Sequence, residues 1–201
     1  FFQSMPITIS ICGYALAAAI IFTYVGQSGE YAVAGYGVGT RIEQVVLLPI
    51  LGSNTAISSI LAQIYGARNF DRIKQTYLTA IKYAFIIMIT SGIIVFISAG
   101  IITSIFSSDP EVIEYGKRYL KISAFVLPAY PVFFLSNGFF MALKKSENAM
   151  ISNFFRNVLN PIVVFYIAKY IDASFETFFW IWVCINWFFS ISYFLVVIYY
   201  F

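Results

Sequence analysis

Glu43 is the residue whose type and setting carry the most chemistry in this sequence. It stands in a mostly apolar stretch, about 32–65, together with Arg41. Counted from Ala32 at about 1.5 Å per residue, it lies roughly 16 Å along a helix, near the middle of a ~30 Å hydrocarbon core. A charge at that depth costs from about 2.5 kcal/mol upward, so it is seldom kept for packing alone. Desolvation favours the neutral form of a buried acid, which suits such a group to reversible protonation and ion coupling. The structural alternative is a buried ion pair, formed with a base elsewhere or with Arg41 brought round by a neighbouring geometry. Arg41 itself points to a different helix face. Gly35, Gly39 and Glu43 recur at four-residue steps and Asn54 returns to nearly the same face. That small, polar stripe is expected to face protein or water.

Other groups are candidates for lining a cavity. Asn153, Asn157 and Asn160 recur at i, i+4 and i+7 with Arg156 beside them. They read as one polar face, used for inter-helix hydrogen bonding while the arginine snorkels to an interface, or for a cavity. Asn137, within Ser136-Asn137-Gly138, is of the same kind. Pro49, Pro128, Pro131 and Pro161 interrupt apolar stretches and act as tolerated kinks or as hinges; at Pro128, Pro131 and Pro161 the freed carbonyls can also meet a cation. Tyr14, with Tyr24 and the many Phe residues, either lines a greasy cargo pocket or simply packs. Histidine is absent, and Cys12 and Cys184 have no disulfide or metal-ligand spacing, so no metal or cofactor is expected. Without GxSxG or a paired-carboxylate motif there is no apparatus for an enzyme. A net charge of +3 spread over loops gives no basis for nucleic-acid binding.

The elements that must position these groups are membrane spans. Only 10% of the 201 residues are charged and 61% are apolar, against roughly 25% charged in soluble domains. With about 20 apolar residues needed per crossing, the expected fold is an all-α integral membrane bundle of six transmembrane helices in a single domain, 1–201. The spans are placed at about 5–25, 32–65, 83–105, 119–143, 149–171 and 175–201. The second is too long for the core and is expected to tilt, kink at Pro49 and Gly52, or project into water. Asp109-Pro110-Glu111 reads as a helix start with its acids on the positive dipole end. Trp180, Trp182 and Trp187 need only be packing or interface anchors. One set of alternate loops holds Arg68, Arg72, Lys74, Lys82, Lys144, Lys145 and Arg156; the other holds Lys117, Arg118, Lys121 and Lys169. The more basic set belongs in the cytoplasm, which puts both termini there too. The apolar start at Phe1, without an initiator Met, reads as a piece of a longer chain.

Ala34-Gly35-Tyr36-Gly37-Val38-Gly39-Thr40-Arg41-Ile42-Glu43, then Leu48-Pro49-Ile50-Leu51-Gly52 and Gln63-Ile64-Tyr65-Gly66-Ala67-Arg68-Asn69, resemble the multidrug and toxin extrusion (MATE) family at the start of its C-terminal half. Gly138-Phe139-Phe140-Met141-Ala142-Leu143-Lys144-Lys145 and Ala149-Met150-Ile151 are similar to its pattern at the end of the tenth helix. The resemblance implies helices seven to twelve of a twelve-helix, pseudo-two-fold transporter, partnered by a six-helix N-terminal lobe of the same chain. It implies alternating access in the cytoplasmic (inner) membrane, with H⁺ or Na⁺ exchanged for organic cations or other amphipathic cargo. Coupling acids that some members carry in the seventh and tenth helices align with Tyr14 and Tyr130, which leaves Glu43 or an acid in the first helix of the other lobe. A lipid-linked oligosaccharide flippase of the same superfamily is the alternative, but its phosphate would need several cationic residues and only Arg41 and Arg156 are candidates. A passive channel or structural membrane subunit is the remaining class.

Overall fold

The structure, a computed structural model, describes the backbone of residues 4–200 and the side chains of residues 13 and 15–200. Tyr14 therefore lies outside the described side chains. The described residues are helical throughout, joined by short turns: α1 Ser4–Gly26, α2 Glu30–Gly66, α3 Phe70–Phe106, α4 Pro110–Ser123, α5 Tyr130–Ala142, α6 Ser146–Phe154, α7 Asn160–Tyr170 and α8 Phe175–Tyr199. A 3₁₀ turn, Leu127–Ala129, joins α4 to α5, and a π-helical turn, Phe155–Leu159, joins α6 to α7.

Local chemistry sets these boundaries. Asn69 caps α3 by accepting from the Arg72 N–H, Ser174 caps α8 through Thr177, and Asp109 accepts from the Glu111 N–H with Pro110 at the first helical position. Among the described residues four helical stretches are long and apolar enough to cross a membrane: Glu30–Gly66, Phe70–Phe106, Pro110–Ala142 and Phe175–Tyr199. The first expected span falls on α1, and the fifth on α6 and α7, which the π turn separates. The third helix starts at Phe70, well before the 83–105 stretch. Its 37 residues reach about 55 Å, so it outruns a ~30 Å core.

The α4–α5 stretch is the centre of the bundle. In its most apolar window 72% of residues are buried, against 17–28% in the other three. Helices α2, α3 and α8 pack around it. The small-residue stripe of α2 makes this possible. A Cβ on Gly35 would lie 2.7 Å from Tyr115 Cβ and 2.8 Å from both Val112 O and Gly116 N, and one on Gly39 would strike the Tyr119 ring. Backbone meets backbone there, which only glycine permits.

Gly35→Ala is expected to lower thermal stability by about 1–3 kcal/mol through overpacking against α4. Gly37→Ala, with nothing within 4 Å of the added carbon, should be neutral or gain up to about 1 kcal/mol from helix propensity. Melting curves of the two purified variants separate these outcomes.

Candidate functional site

A cavity of about 340 Å³ opens between α1, α2, α4–α5, α8 and the π turn. Glu43 lies in its wall, half-buried, with Thr40 and the more exposed Gln44 from the same helix beside it. The Tyr119 hydroxyl donates to one carboxylate oxygen of Glu43, and the Tyr130 hydroxyl donates to the other at 2.5 Å. Both tyrosines are buried and both face the cavity. They stand on opposite sides of the break between α4 and α5, so one carboxylate ties α2 to both. Among the described residues Glu43 has no ion-pair partner within 4 Å, and Arg41 is exposed and outside the cavity wall.

Arg156 faces Glu43's side of this network through aromatic rings. Its guanidinium lies 4.9 Å from the Tyr130 centroid, 4.1 Å from Phe133 and 5.3 Å from Phe134. A cation over ring faces is stabilised by the ring quadrupole. Tyr130 thus offers its hydroxyl to the acid and its π face to the base. The remaining wall is largely apolar and aromatic, with Tyr36, Phe179 and Trp182. Tyr36 packs edge-on to Tyr119 and stacks on Phe179 at 5.5 Å.

The sequence candidates divide. Glu43, Asn153 and Asn157 line the cavity, whereas Arg41, Asn54 and Asn137 do not. Asn54 packs into α5, where a Cβ on Gly138 would meet its Oδ1 at 2.4 Å; that oxygen is buried without a hydrogen bond among the described residues. Asn137 donates to Asn153 Oδ1 at 3.1 Å and accepts from the Tyr193 hydroxyl at 3.0 Å, holding Asn153 in the cavity wall from behind. The single face expected of Asn153, Asn157 and Asn160 does not survive. The π turn inserts an extra residue into the helical period, and Asn160 is turned into the interior, fully buried with neither side-chain polar atom hydrogen-bonded among the described residues. Arg156, expected to snorkel to an interface, is instead turned into the cavity.

The prolines sit where helices change character. Pro49 lies inside the unbroken α2. Pro128 lies within the 3₁₀ turn and Pro131 follows it in the first turn of α5; Val126 and Ala129 donate there to carbonyls three residues back, and α8 supplies further donors: Trp187 Nε1 to Phe125 O at 2.9 Å and Ser190 Oγ to Ala129 O at 3.3 Å. Those two carbonyls already hold hydrogen bonds. Pro161 opens α7 directly after the π turn, where the Asn160 N–H reaches back to Phe155 O.

Tyr119, Tyr130 and Arg156 are the site residues that inspection of the sequence did not pick out as a set. The available signal was spacing, because Tyr119 and Tyr130 stand eleven residues apart, close to three helical turns.

The MatE family model matches residues 6–166, from α1 through most of α7. The chain belongs to the MATE family. Members of that family are transporters rather than enzymes, and this MATE chain is a multi-pass membrane protein. It is 26% identical over 158 residues to a Shewanella oneidensis protein named FAD transporter, a match covering 79% of this chain and 35% of that one. It is 29% identical over 150 residues to the probable multidrug resistance protein YpnP of Bacillus subtilis, covering 75% and 32%. In fold it is similar to a MOP superfamily transporter from Pyrococcus furiosus, with a TM-score of 0.90 at 23% identity over 96% of this chain and 44% of that one. The chain spans about a third of the length of the two sequence relatives and less than half of that structure.

Glu43→Gln and Tyr130→Phe are each expected to destabilise the protein, and their effects should not add. A hydrogen bond to a charged group is worth about 1.5–3 kcal/mol, and a double-mutant cycle by thermal unfolding should return a coupling of about 1–3 kcal/mol. Strict additivity would disprove the pairing.

Proposed function

We propose that this chain forms one half of a secondary antiporter of the cytoplasmic (inner) membrane that exports amphipathic compounds, organic cations foremost, in exchange for H⁺ or Na⁺. Glu43 is the coupling group. The observation that carries this reading is the position of its carboxylate: in the wall of an aromatic cavity, held by two tyrosine hydroxyls and by no ion pair among the described residues. Protonation or Na⁺ binding there removes or neutralises the charge around which Tyr119 and Tyr130 are arranged, and so biases one facing state against the other. Cargo entering the same cavity competes for the acid. Asn153 and Asn157 contribute polar contacts, and the interruptions at Pro128, Pro131 and Pro161 are the places where the helices bend as access alternates. Pro49 adds flexibility to α2 by removing one backbone hydrogen bond. Both termini of the chain lie on the cytoplasmic side, as the balance of Lys and Arg over alternate loops supports. A six-helix N-terminal lobe completes the cavity.

A second reading rests on Arg156. A cation displayed over three aromatic rings in the cavity wall suits cargo that is aromatic and anionic, and one relative is named for FAD. A lipid-linked oligosaccharide flippase fits less well, because Arg156 is the lone Lys or Arg in the described cavity wall. A passive channel leaves the hydrogen-bonded carboxylate without a purpose.

The full-length protein in proteoliposomes tests the first reading. Under an imposed pH or Na⁺ gradient, Glu43→Gln should abolish gradient-driven efflux of a cationic dye while insertion is retained. Undiminished coupling in this variant removes Glu43 from the mechanism, and preferential uptake of an anionic aromatic dye, lost in Arg156→Gln, favours the second reading.

A further inference from the structure

The segment that joins α4 to α5 has two faces. Ile122, Ser123, Val126 and Tyr130 look into the cavity, whereas Ala124, Phe125 and Pro128 look the other way, onto a second concavity of about 440 Å³ on the outside of the bundle. That volume is in the range of clefts that hold ligands, roughly 300–1,000 Å³. Its other walls come from α3 and α8, through Ile93, Phe96, Ile97 and Trp187. Ile93, Ile97 and Phe125 are exposed, so the groove opens onto the surface that a multi-pass chain presents to lipid.

The groove is apolar except at its rim, where Lys121 projects its ammonium over the Phe96 ring, 5.6 Å from the centroid. Phe96 in turn packs edge-on to Phe125 at 5.9 Å. The neighbouring cations are already paired: Lys117 with Glu114, and Arg118 with Glu114 and Glu176. Among the described residues Lys121 has no carboxylate within 4 Å. A half-buried ammonium beside an apolar, lipid-facing slot presents the two chemistries of a phospholipid side by side, an anion site and a channel for hydrocarbon.

We propose that this groove binds an anionic phospholipid, with one acyl chain lying between α3 and α8 against Phe125 and Pro128, and the headgroup phosphate on Lys121. The chain then backs the same 3₁₀ turn whose inner face forms the cavity wall. Lipid occupancy braces the turn from outside, and the position of Tyr130 depends on what fills the groove.

The full-length chain in nanodiscs, doped with phosphatidylglycerol or phosphatidylcholine carrying a diazirine on one acyl chain, tests this by photocrosslinking and peptide mass spectrometry. The phosphatidylglycerol probe should label residues 89–97 and 124–128 about fivefold more than the phosphatidylcholine probe at equal mole fraction, the effect of one lysine near an anionic headgroup. Lys121→Gln should equalise the two probes and Lys121→Arg should keep the preference. Ile93→Phe, which fills the groove, should reduce labelling by both; Ile97→Phe serves the same purpose where the first variant does not purify as a single species. Equal labelling by the two probes in the unmodified protein, a preference that survives Lys121→Gln, or a groove left unlabelled because another part of the full chain covers it, each overturns the proposal.

Discussion

An acid enclosed by apolar helices has to find donors for both of its oxygens, and in this chain that requirement organises the bundle. Glu43 takes one hydroxyl from α4 and one from α5. Neither helix could shift alone without leaving part of a carboxylate unsatisfied in a poorly solvated place, which is expensive. The polar site and the central packing are therefore one interaction. The aromatic rings around it serve twice, as apolar filling and as faces for the Arg156 guanidinium.

Two interruptions of regular helix border the cavity, and each is handled differently. At 124–129 Pro128 removes a backbone donor, and the turn is closed by tighter bonds and by side chains from α8. The cost of breaking a helix in an apolar medium is thereby largely offset. At 155–159 the helix widens instead, which turns Arg156 and Asn157 toward the cavity and leaves the Asn160 side chain buried without a hydrogen-bond partner among the described residues. Irregular backbone beside a cavity is where a membrane chain tolerates it.

Much of this was legible in the residues. The scarcity of charge dictates membrane helices, the place of Glu43 within an apolar stretch singles it out, and the Gly35–Gly39 spacing announces a close helix contact. What stayed hidden depends on neighbours distant in sequence. Tyr119 and Tyr130 are two of 15 tyrosines, and only the fold shows that they reach Glu43. The three asparagines suggested one face because a regular 3.6-residue period was assumed, and a single extra residue in the π turn moved Asn160 off it. Arg156 looked like an interface anchor for want of any sign that rings awaited it. Asn54 and Asn137 were recognisable as buried polar groups, but whether they met cargo or other helices could not be read from a helical wheel.

The backbone contact at Gly35 makes α2 and α4 a rigid strut. At Gly35 backbone lies on backbone, and one turn on, the Tyr119 ring fills the place a side chain on Gly39 would take, so little compliant material separates the two helices at that crossing. The close packing of α4 on α2 stops at Ser123, where α4 ends, so the acid and its first tyrosine belong to the tightly packed side of the helix break and its second tyrosine to the other side.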